Sequence, residues 1–494
     1  MPGRCERNPA GPLRWLALSS LAFAYACSNS SQPDLFLSRD DLLDPGACQG
    51  CHQDHYDDWA GSMHAYASED PVFLAMNQRA QRETNGALGT FCVKCHAPMA
   101  VREGATKDGL NLASLPKKLR GVTCYFCHSV DQVTDSHDNP LHLASDGVMR
   151  AAISDPFSGG RFHKAAYSPL LDRDRADSAT TCGACHDIVS PHGAAVERTF
   201  NEWRSSIFSG GTGTTCGQCH MPQSTTPKAV AQVPGAPLRQ PHGHTFAAVD
   251  VAVQPFPDKE RQHLLVQSFL DTTLQTALCV EPEGGASRIH VTLDNVAAGH
   301  SFPSGASQDR RSWVEVVAYS GSDVIYSSGT VPDGTSPTTL ADPDLWLMRD
   351  CIFGESGAQV SMFWQAASSE GNSLPALLTF DSSDPRFYQT HRVKAYPSSN
   401  LLSAVPDRVT LRVQLQPIGL DVLDDLIASG DLDPQVRAAT TTFTVGSMVE
   451  WTQASATHVY VDRLTGNRVY CATSTNLNVL ADKFPATMHA RCAP

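Results

Sequence analysis

Five copies of one short motif, C-x-x-C-H, are the residues of this 494-residue chain with the clearest chemistry. Two cysteines three positions apart lie on one side of a helical turn, where both thiols can reach the two vinyl groups of one porphyrin. The histidine that follows then lies over the iron and supplies its proximal nitrogen. The predicted attachment cysteines and proximal histidines are Cys48, Cys51 and His52; Cys92, Cys95 and His96; Cys124, Cys127 and His128; Cys182, Cys185 and His186; and Cys216, Cys219 and His220.

Structural zinc and redox-active disulfides are the other common uses of paired cysteines. Five pairs cannot all combine into four-cysteine zinc sites. Neither alternative requires a histidine directly after every second cysteine, whereas covalent haem attachment does. The sequence therefore predicts five covalently bound haem c groups.

The group that occupies the second axial position of each iron determines whether that haem transfers electrons or binds a small molecule. A second histidine gives a six-coordinate iron suited to electron transfer, and an open position admits a ligand. The chain has 19 histidines, many more than the motifs use. We predict distal ligands among His64, His137, His163, His244 and His300, whereas His290, His458 and His489 should face solvent.

The spacing of the motifs predicts how the haem-binding half is built. All five fall between Cys48 and His220, too short a stretch to insulate five haems from one another. The haems should therefore form most of the core of this half, with neighbouring rings near contact. One helix should begin at Pro71 with Asp70 as its N-cap, and another should cover residues 197–207.

The chain changes character after the last motif. Residues 222–241 are rich in Pro, Ala and Gln and are typical of extended coil. Residues 257–279 carry leucines at helical spacing, which predicts one helix. Beyond Gly285, runs of alternating apolar and polar residues predict antiparallel strands, with a short helix near residues 421–427.

The predicted fold class is α+β: a mostly helical and coil multihaem domain with haems as its core, followed by an antiparallel β-sandwich domain. Such a length accommodates two domains. The predicted segments are a signal peptide at 1–26, a flexible tether at 27–45, a pentahaem cytochrome c domain at 46–255, a connecting helix at 256–279 and the β-sandwich at 280–494.

The first 26 residues predict export. Three arginines precede a short apolar stretch that ends in an A-x-A cleavage site, Ala24-Tyr25-Ala26. Cys27 follows at once, and small residues before a cysteine resemble a bacterial lipoprotein signal. We therefore expect a periplasmic or cell-surface protein, with a lipid anchor on Cys27 favoured over plain cleavage.

If Cys27 carries the lipid, four cysteines outside the motifs and the cleaved leader remain for disulfides. Cys279, Cys351, Cys471 and Cys492 can form two bridges in an oxidising compartment, and three pairings are open. The favoured pairing joins Cys471 to Cys492 and Cys279 to Cys351. The alternative is that some of the four are free buried thiols.

The formal net charge of −14 argues against nucleic acid or an anionic membrane surface as a partner. Redox proteins of the cell envelope, with a basic docking face, are the expected partners. The membrane is expected to be reached through the lipid anchor alone. The oligomeric state does not follow from the sequence.

Five stretches of the chain carry a family resemblance. Residues 48–67, with Tyr56, Trp59 and His64 after the first motif, resemble the opening of the cytochrome c-554 family of nitrifiers, as do residues 91–96 and 121–124. Residues 182–222 and the loop of His300 are similar to the hydroxylamine-oxidoreductase-like multihaem group. The resemblance implies stacked haem pairs and largely bis-histidine ligation, with distal ligands at His64, His163, His244 and His300.

The same families limit what the resemblance implies. The nitrifier cytochrome has four haems and no large β-domain, and the octahaem enzymes have more haems than this chain has motifs. Dense motifs and abundant spare histidines favour a non-catalytic carrier that relays single electrons. The alternative is an oxidoreductase that acts on a small nitrogen or sulfur compound at one five-coordinate haem.

Overall fold

A computed structural model describes residues 36–153, 162–381, 383–462 and 465–473. The predicted signal peptide, Cys27 with the tether up to residue 35, His489 and Cys492 lie outside these residues. The described end of the predicted tether contains the helix Arg39–Leu43 rather than flexible coil. Within the described part of the chain, no helix is both long enough and apolar enough to cross a membrane.

Short helices dominate the haem-binding half, as predicted. Asp70 caps the helix Pro71–Glu83 by accepting a hydrogen bond from the Val72 N–H at 3.0 Å, which confirms that prediction. The helices are Arg39–Leu43, Pro45–Gln49, Gln53–Ala60, Met63–Tyr66, Pro71–Glu83, Val93–His96, Pro98–Arg102, Cys124–His128, Asp177–Gly183, Thr199–Ser205, Ile207–Gly210, Cys216–His220 and Lys259–Thr273. Short 3-10 turns cover Leu112–Ser114, Lys117–Leu119 and Pro169–Leu171.

Small strand pairs separate these helices. The helix expected at 197–207 is shorter than predicted, because Ala195–Glu197 pairs as a strand with Ile188–Val189. The coil expected at 222–241 contains a short hairpin. The pairs are Val130–Val133 with Leu141–Leu143, Val148–Ala151 with Lys164–Tyr167, Ile188–Val189 with Ala195–Glu197, and Lys228–Ala229 with Leu238–Arg239.

The second half is built from antiparallel sheets, so the predicted α+β class is confirmed. One sheet has the order His391–Tyr396, Ala286–Asn295, Leu274–Glu283, Arg468–Thr473 and His458–Val461. A second has the order Asp323–Ser328, Arg311–Ser320, Arg408–Gln416 and Phe443–Thr444, with Trp346–Met348 and Val449–Thr452 paired to its inner strands. A small sheet joins Gln359–Val360, Asp350–Phe353 and Ser368–Gly371.

The two larger sheets share one apolar core. Ile289 and Val291 from the first sheet belong to the same buried cluster as Val314, Val316 and Leu411 from the second. Two antiparallel sheets with a common core form a sandwich. The predicted short helix is present as Leu420–Ala428, followed by Pro434–Ala438, and 3-10 turns cover Pro337–Thr339, Phe363–Gln365 and Pro385–Gln389.

The connecting helix predicted at 256–279 is wrong beyond Thr273. The helix is Lys259–Thr273, and Leu274–Glu283 is a strand. Leu274 and Leu278 lie four positions apart, a spacing that places side chains on one face of a helix and equally on one face of a strand. Leu274–Glu283 pairs along its whole length with the strand Ala286–Asn295, and this pairing favours the strand over the helix.

The favoured disulfide pairing is also wrong. Cys279 is bonded to Cys471, its direct neighbour on the adjacent strand, with the two Cα atoms 4.0 Å apart. Cys351 is disulfide-bonded as well. The Cys279 pair is 192 residues apart in the sequence, and the pairing follows from strand register rather than from proximity along the chain.

The expected solvent exposure of His290 is wrong too. Its Nε2 lies 2.9 Å from the Glu281 carboxylate on the neighbouring strand, and its side chain is 17% exposed. Glu281 also accepts hydrogen bonds from Thr465 and Asn467, so this buried carboxylate links three segments of the sheet.

The haem-binding half and the sheets pack against each other. Val72 and Ala75 from the helix Pro71–Glu83 lie in one buried cluster with Leu423 and Trp364 from the second half. The Trp364 indole N–H donates to Glu83 at 2.9 Å. This contact fixes the sheet region relative to the motifs, so a loop of the second half can contribute to sites in the first.

Candidate haem-binding sites

Every motif histidine has its Nδ1 held by an acceptor. In four motifs the acceptor is a backbone carbonyl, and in the fourth motif along the chain it is a carboxylate. The distances are 2.9 Å from His52 to Val230 O, 3.0 Å from His96 to Ala67 O, 2.6 Å from His128 to Arg150 O, 3.1 Å from His186 to Glu197 Oε1, and 2.8 Å from His220 to Ala247 O. An Nδ1–H that donates in this way fixes the tautomer and leaves Nε2 for an iron.

Four of the motif histidines face a second histidine ring. In a bis-histidine haem each nitrogen lies about 2 Å from the iron and about 1.2 Å from its own ring centroid, so the centroids are about 6.4 Å apart. The observed centroid distances are 6.0 Å for His52 and His163, 6.4 Å for His64 and His186, 6.4 Å for His128 and His244, and 6.5 Å for His220 and His300. Each pair therefore leaves room for one iron.

The second rings are also held in place. The Nδ1 atoms of His163, His244 and His300 lie 3.0, 3.2 and 2.9 Å from backbone carbonyl oxygens. Burial lowers the pKa of His64 to about 3 and that of His220 to about 4. These imidazoles are therefore neutral at pH 7, which is the form that binds iron.

His300 reaches the sites from the sheet region. Its loop joins a strand of one large sheet to a strand of the other, and its carbonyl oxygen accepts from the Asn295 side chain at 2.7 Å. Glu202, on the helix Thr199–Ser205, accepts from the Ser301 N–H at 3.1 Å and from the Ser304 hydroxyl at 2.6 Å. The half-buried Glu202 carboxylate thus holds the loop against the haem-binding half.

His96 differs from the other four motif histidines. Phe73 stacks on its ring with centroids 4.0 Å apart and planes 2° apart. Among the residues that the structure describes, no histidine ring lies across from His96 at the distance seen in the four pairs. His137, one of the predicted distal ligands, instead has its Nδ1 3.0 Å from Asp138 and its side chain 39% exposed.

Sequence reasoning missed His55 and Glu197. The His55 ring lies 6.1 Å from His52 and 4.7 Å from His244, and its buried Nδ1 has no partner in the described part of the chain. The sequence did contain a signal for His55, because this residue lies one helical turn after His52. Nothing in the local pattern marks Glu197, because its contact with His186 depends on a hairpin.

Thiols of different motifs meet in the interior. Cys48 of the first motif contacts Cys124 of the third, Cys95 of the second contacts Cys185 of the fourth, and Cys182 of the fourth contacts Cys216 of the fifth. Cys127 of the third motif lies near enough to Cys182 to interact with it electrostatically. The fourth motif therefore adjoins the second, third and fifth.

Two comparisons with known proteins indicate the class to which the chain belongs. Residues 47–129 match the family model described as cytochrome c554 and c-prime. The chain is similar to the penta-heme cytochrome c552 from Thermochromatium tepidum, with a TM-score of 0.57 and 18% identity over 82% of this chain and 97% of that one. At that identity the likeness shows the fold. No curated protein sequence matches the chain.

The motifs, the family match and the shared fold define a multihaem c-type cytochrome. Covalently bound haem c is the cofactor that this class carries, and electron transfer is the activity that the class indicates. Proteins of this class are typically exported.

Proposed function

We propose that this cytochrome carries five haem c groups, one on each motif, and relays single electrons in the cell envelope. Haems 1 to 5 are numbered here in the order of their motifs. The observation that carries the proposal is the set of four facing imidazole pairs, which gives haems 1, 3, 4 and 5 two histidine ligands each. Bis-histidine haems exchange electrons without binding substrate.

The ligand assignment follows from the same pairs. His163 serves haem 1, His244 serves haem 3, His64 serves haem 4 and His300 serves haem 5. Each of these side chains can present Nε2 to an iron at the spacing already described. His137 is not assigned, because its ring lies beside Asp138.

The thiol contacts supply an order for the relay. Cys48 and Cys124 make haems 1 and 3 neighbours, and Cys182 and Cys216 make haems 4 and 5 neighbours. Cys127 and Cys182 join the two pairs. The resulting path is 1–3–4–5, and haem 2 branches from haem 4 through Cys95 and Cys185.

Replacing His300 by alanine tests the relay geometry. The wild-type protein should contain five covalent haems by intact mass, and the variant should show one haem converted from low spin to high spin by electron paramagnetic resonance. His192 is a matched control, because its Nδ1 faces Glu355 rather than a motif histidine. An unchanged spin state in the His300→Ala variant would contradict the assignment.

A second function is favoured by the surroundings of His96. Since no second imidazole faces His96 among the described residues, haem 2 would keep an open position for a small ligand. The chain would then act as an oxidoreductase on a small nitrogen or sulfur compound, with the other haems exchanging electrons with a partner.

Attachment to the membrane through Cys27 is part of the proposal. Cys27 directly follows the A-x-A sequence of the leader, as the modified cysteine of a lipoprotein follows its cleavage site. Replacing Cys27 by serine should move the protein from the membrane fraction to the soluble envelope fraction with its haems intact. A wild-type protein already in the soluble fraction would contradict the anchor.

A further inference from the structure

Among the five motif histidines, His186 alone has a carboxylate as the acceptor for its Nδ1. We propose that Glu197 lowers the reduction potential of haem 4 and so sets where electrons reside in the relay. The inference rests on the proposed function, because it needs a haem on His186. It adds a tuning role for a residue outside the motif.

The physical cause is charge carried to the iron through a hydrogen bond. A carboxylate bears a full negative charge, whereas a backbone carbonyl bears a partial one. Accepting from Nδ1–H makes the imidazole a stronger donor to its metal, and the charge stabilises the oxidised iron more than the reduced iron.

The chain builds this contact with a hairpin that starts at the motif. Glu197 is the last residue of the strand Ala195–Glu197 and pairs with Ile188, two positions after His186. The Phe200 N–H then donates to the His186 carbonyl at 3.0 Å. A Cβ on Gly183 would lie 2.3 Å from the Phe200 ring, so the missing side chain there allows the close approach.

Nearby cations do not cancel the charge of Glu197 by direct pairing. Arg310 interacts with it electrostatically, but the Arg310 guanidinium is held by both oxygens of Asp250 at 2.8 and 3.0 Å. Arg198 lies beside Asp187 at 3.2 Å. Within the described part of the chain, the ion-pairing contact of Glu197 is His186 itself, and its side chain is 19% exposed.

The position of haem 4 gives the tuning a consequence. Thiols of the fourth motif contact those of the second and fifth and lie near one of the third. A low-potential haem at this junction passes electrons without storing them. Electrons therefore reside on the haems on either side of haem 4. By lowering the potential of haem 4, Glu197 separates electrons held on the branch at haem 2 from electrons held on haem 5 at the end of the path.

A redox titration of the full-length protein with Glu197→Gln tests the proposal. Glutamine keeps an acceptor for Nδ1–H and removes the charge. One of the five one-electron steps should shift to a more positive potential by a tenfold change in its equilibrium constant, about 59 mV for a one-electron couple. The other steps and the low-spin resonances should stay in place.

Two further variants make the result decisive. Glu355→Gln removes a similar carboxylate contact from His192, which belongs to no motif, and should leave every step unchanged. Glu197→Asp keeps the negative charge, so its reduction potential for haem 4 should lie nearer to the wild-type value than that of Glu197→Gln. The tuning role is overturned if all five reduction potentials are unchanged in a Glu197→Gln protein with normal low-spin spectra. It is also overturned if Glu197→Gln and Glu197→Asp shift the same potential by the same amount. Fewer than five steps in the wild type would instead overturn the proposed function.

Discussion

A protein with Cys124 and Cys127 replaced by alanine is expected to lose one covalent haem and to lose fast electron exchange between haem 1 and the other haems. In the proposed assignment the third motif supplies both thioether bonds of haem 3, and its thiols contact Cys48 and lie near Cys182. Removing it leaves a gap in the path 1–3–4–5. Intact mass counts the haems, and stopped-flow reduction should change from one fast phase to a fast and a slow phase.

The matched variant replaces Cys92 and Cys95 by alanine. It removes one haem as well, but haem 2 is a branch, so the path 1–3–4–5 remains and the fast phase should persist. The two variants separate haem number from haem order. Five haems in the first variant would overturn the motif assignment, and equal kinetics in both variants would overturn the order.

Local spacing made many of the elements predictable, and it is also the basis of the predicted attachment sites. A C-x-x-C-H motif brings its thiols together within one helical turn, and the N-cap at Asp70 also acts within a few residues of the chain. The alternating runs beyond Gly285 became strands for the same reason, as with Ala286–Asn295 and Arg408–Gln416. These features need no knowledge of distant contacts.

Features set by tertiary contacts were not predictable. Leu274 and Leu278 satisfy a helix and a strand equally, and the partner strand decides between them. The bond between Cys279 and Cys471 depends on strand register across most of the second half. Glu197 is an ordinary acidic residue in the sequence and gains its meaning from the hairpin that carries it to His186.

The distal histidines were only partly predictable from the sequence. Their residue type could be selected from the sequence, and four of the five predicted candidates lie across from a motif histidine. Their partners could not be selected, because His300 arrives from a loop of the sheet region and His64 faces the fourth motif rather than its own. Pairing is decided by how the halves pack.

Addition of cyanide or nitrite to the oxidised protein is expected to change the spectrum of one haem only, haem 2. His96 is the motif histidine that faces no second imidazole among the described residues, and Phe73 supports its ring by stacking. An open position takes a small anion readily, whereas a bound imidazole must first leave. Electron paramagnetic resonance should show one high-spin haem that disappears as the anion binds.

Two variants locate the responsive haem. Replacing Cys92 and Cys95 by alanine should abolish the response, and replacing His300 by alanine should add a second responsive haem through a newly opened position. If the wild type responds in this way, turnover of nitrogen or sulfur compounds should be measured next, because a branch haem that binds ligand is placed to exchange electrons with haem 4. Five unresponsive low-spin haems would contradict an open haem 2 and leave the protein as an electron carrier.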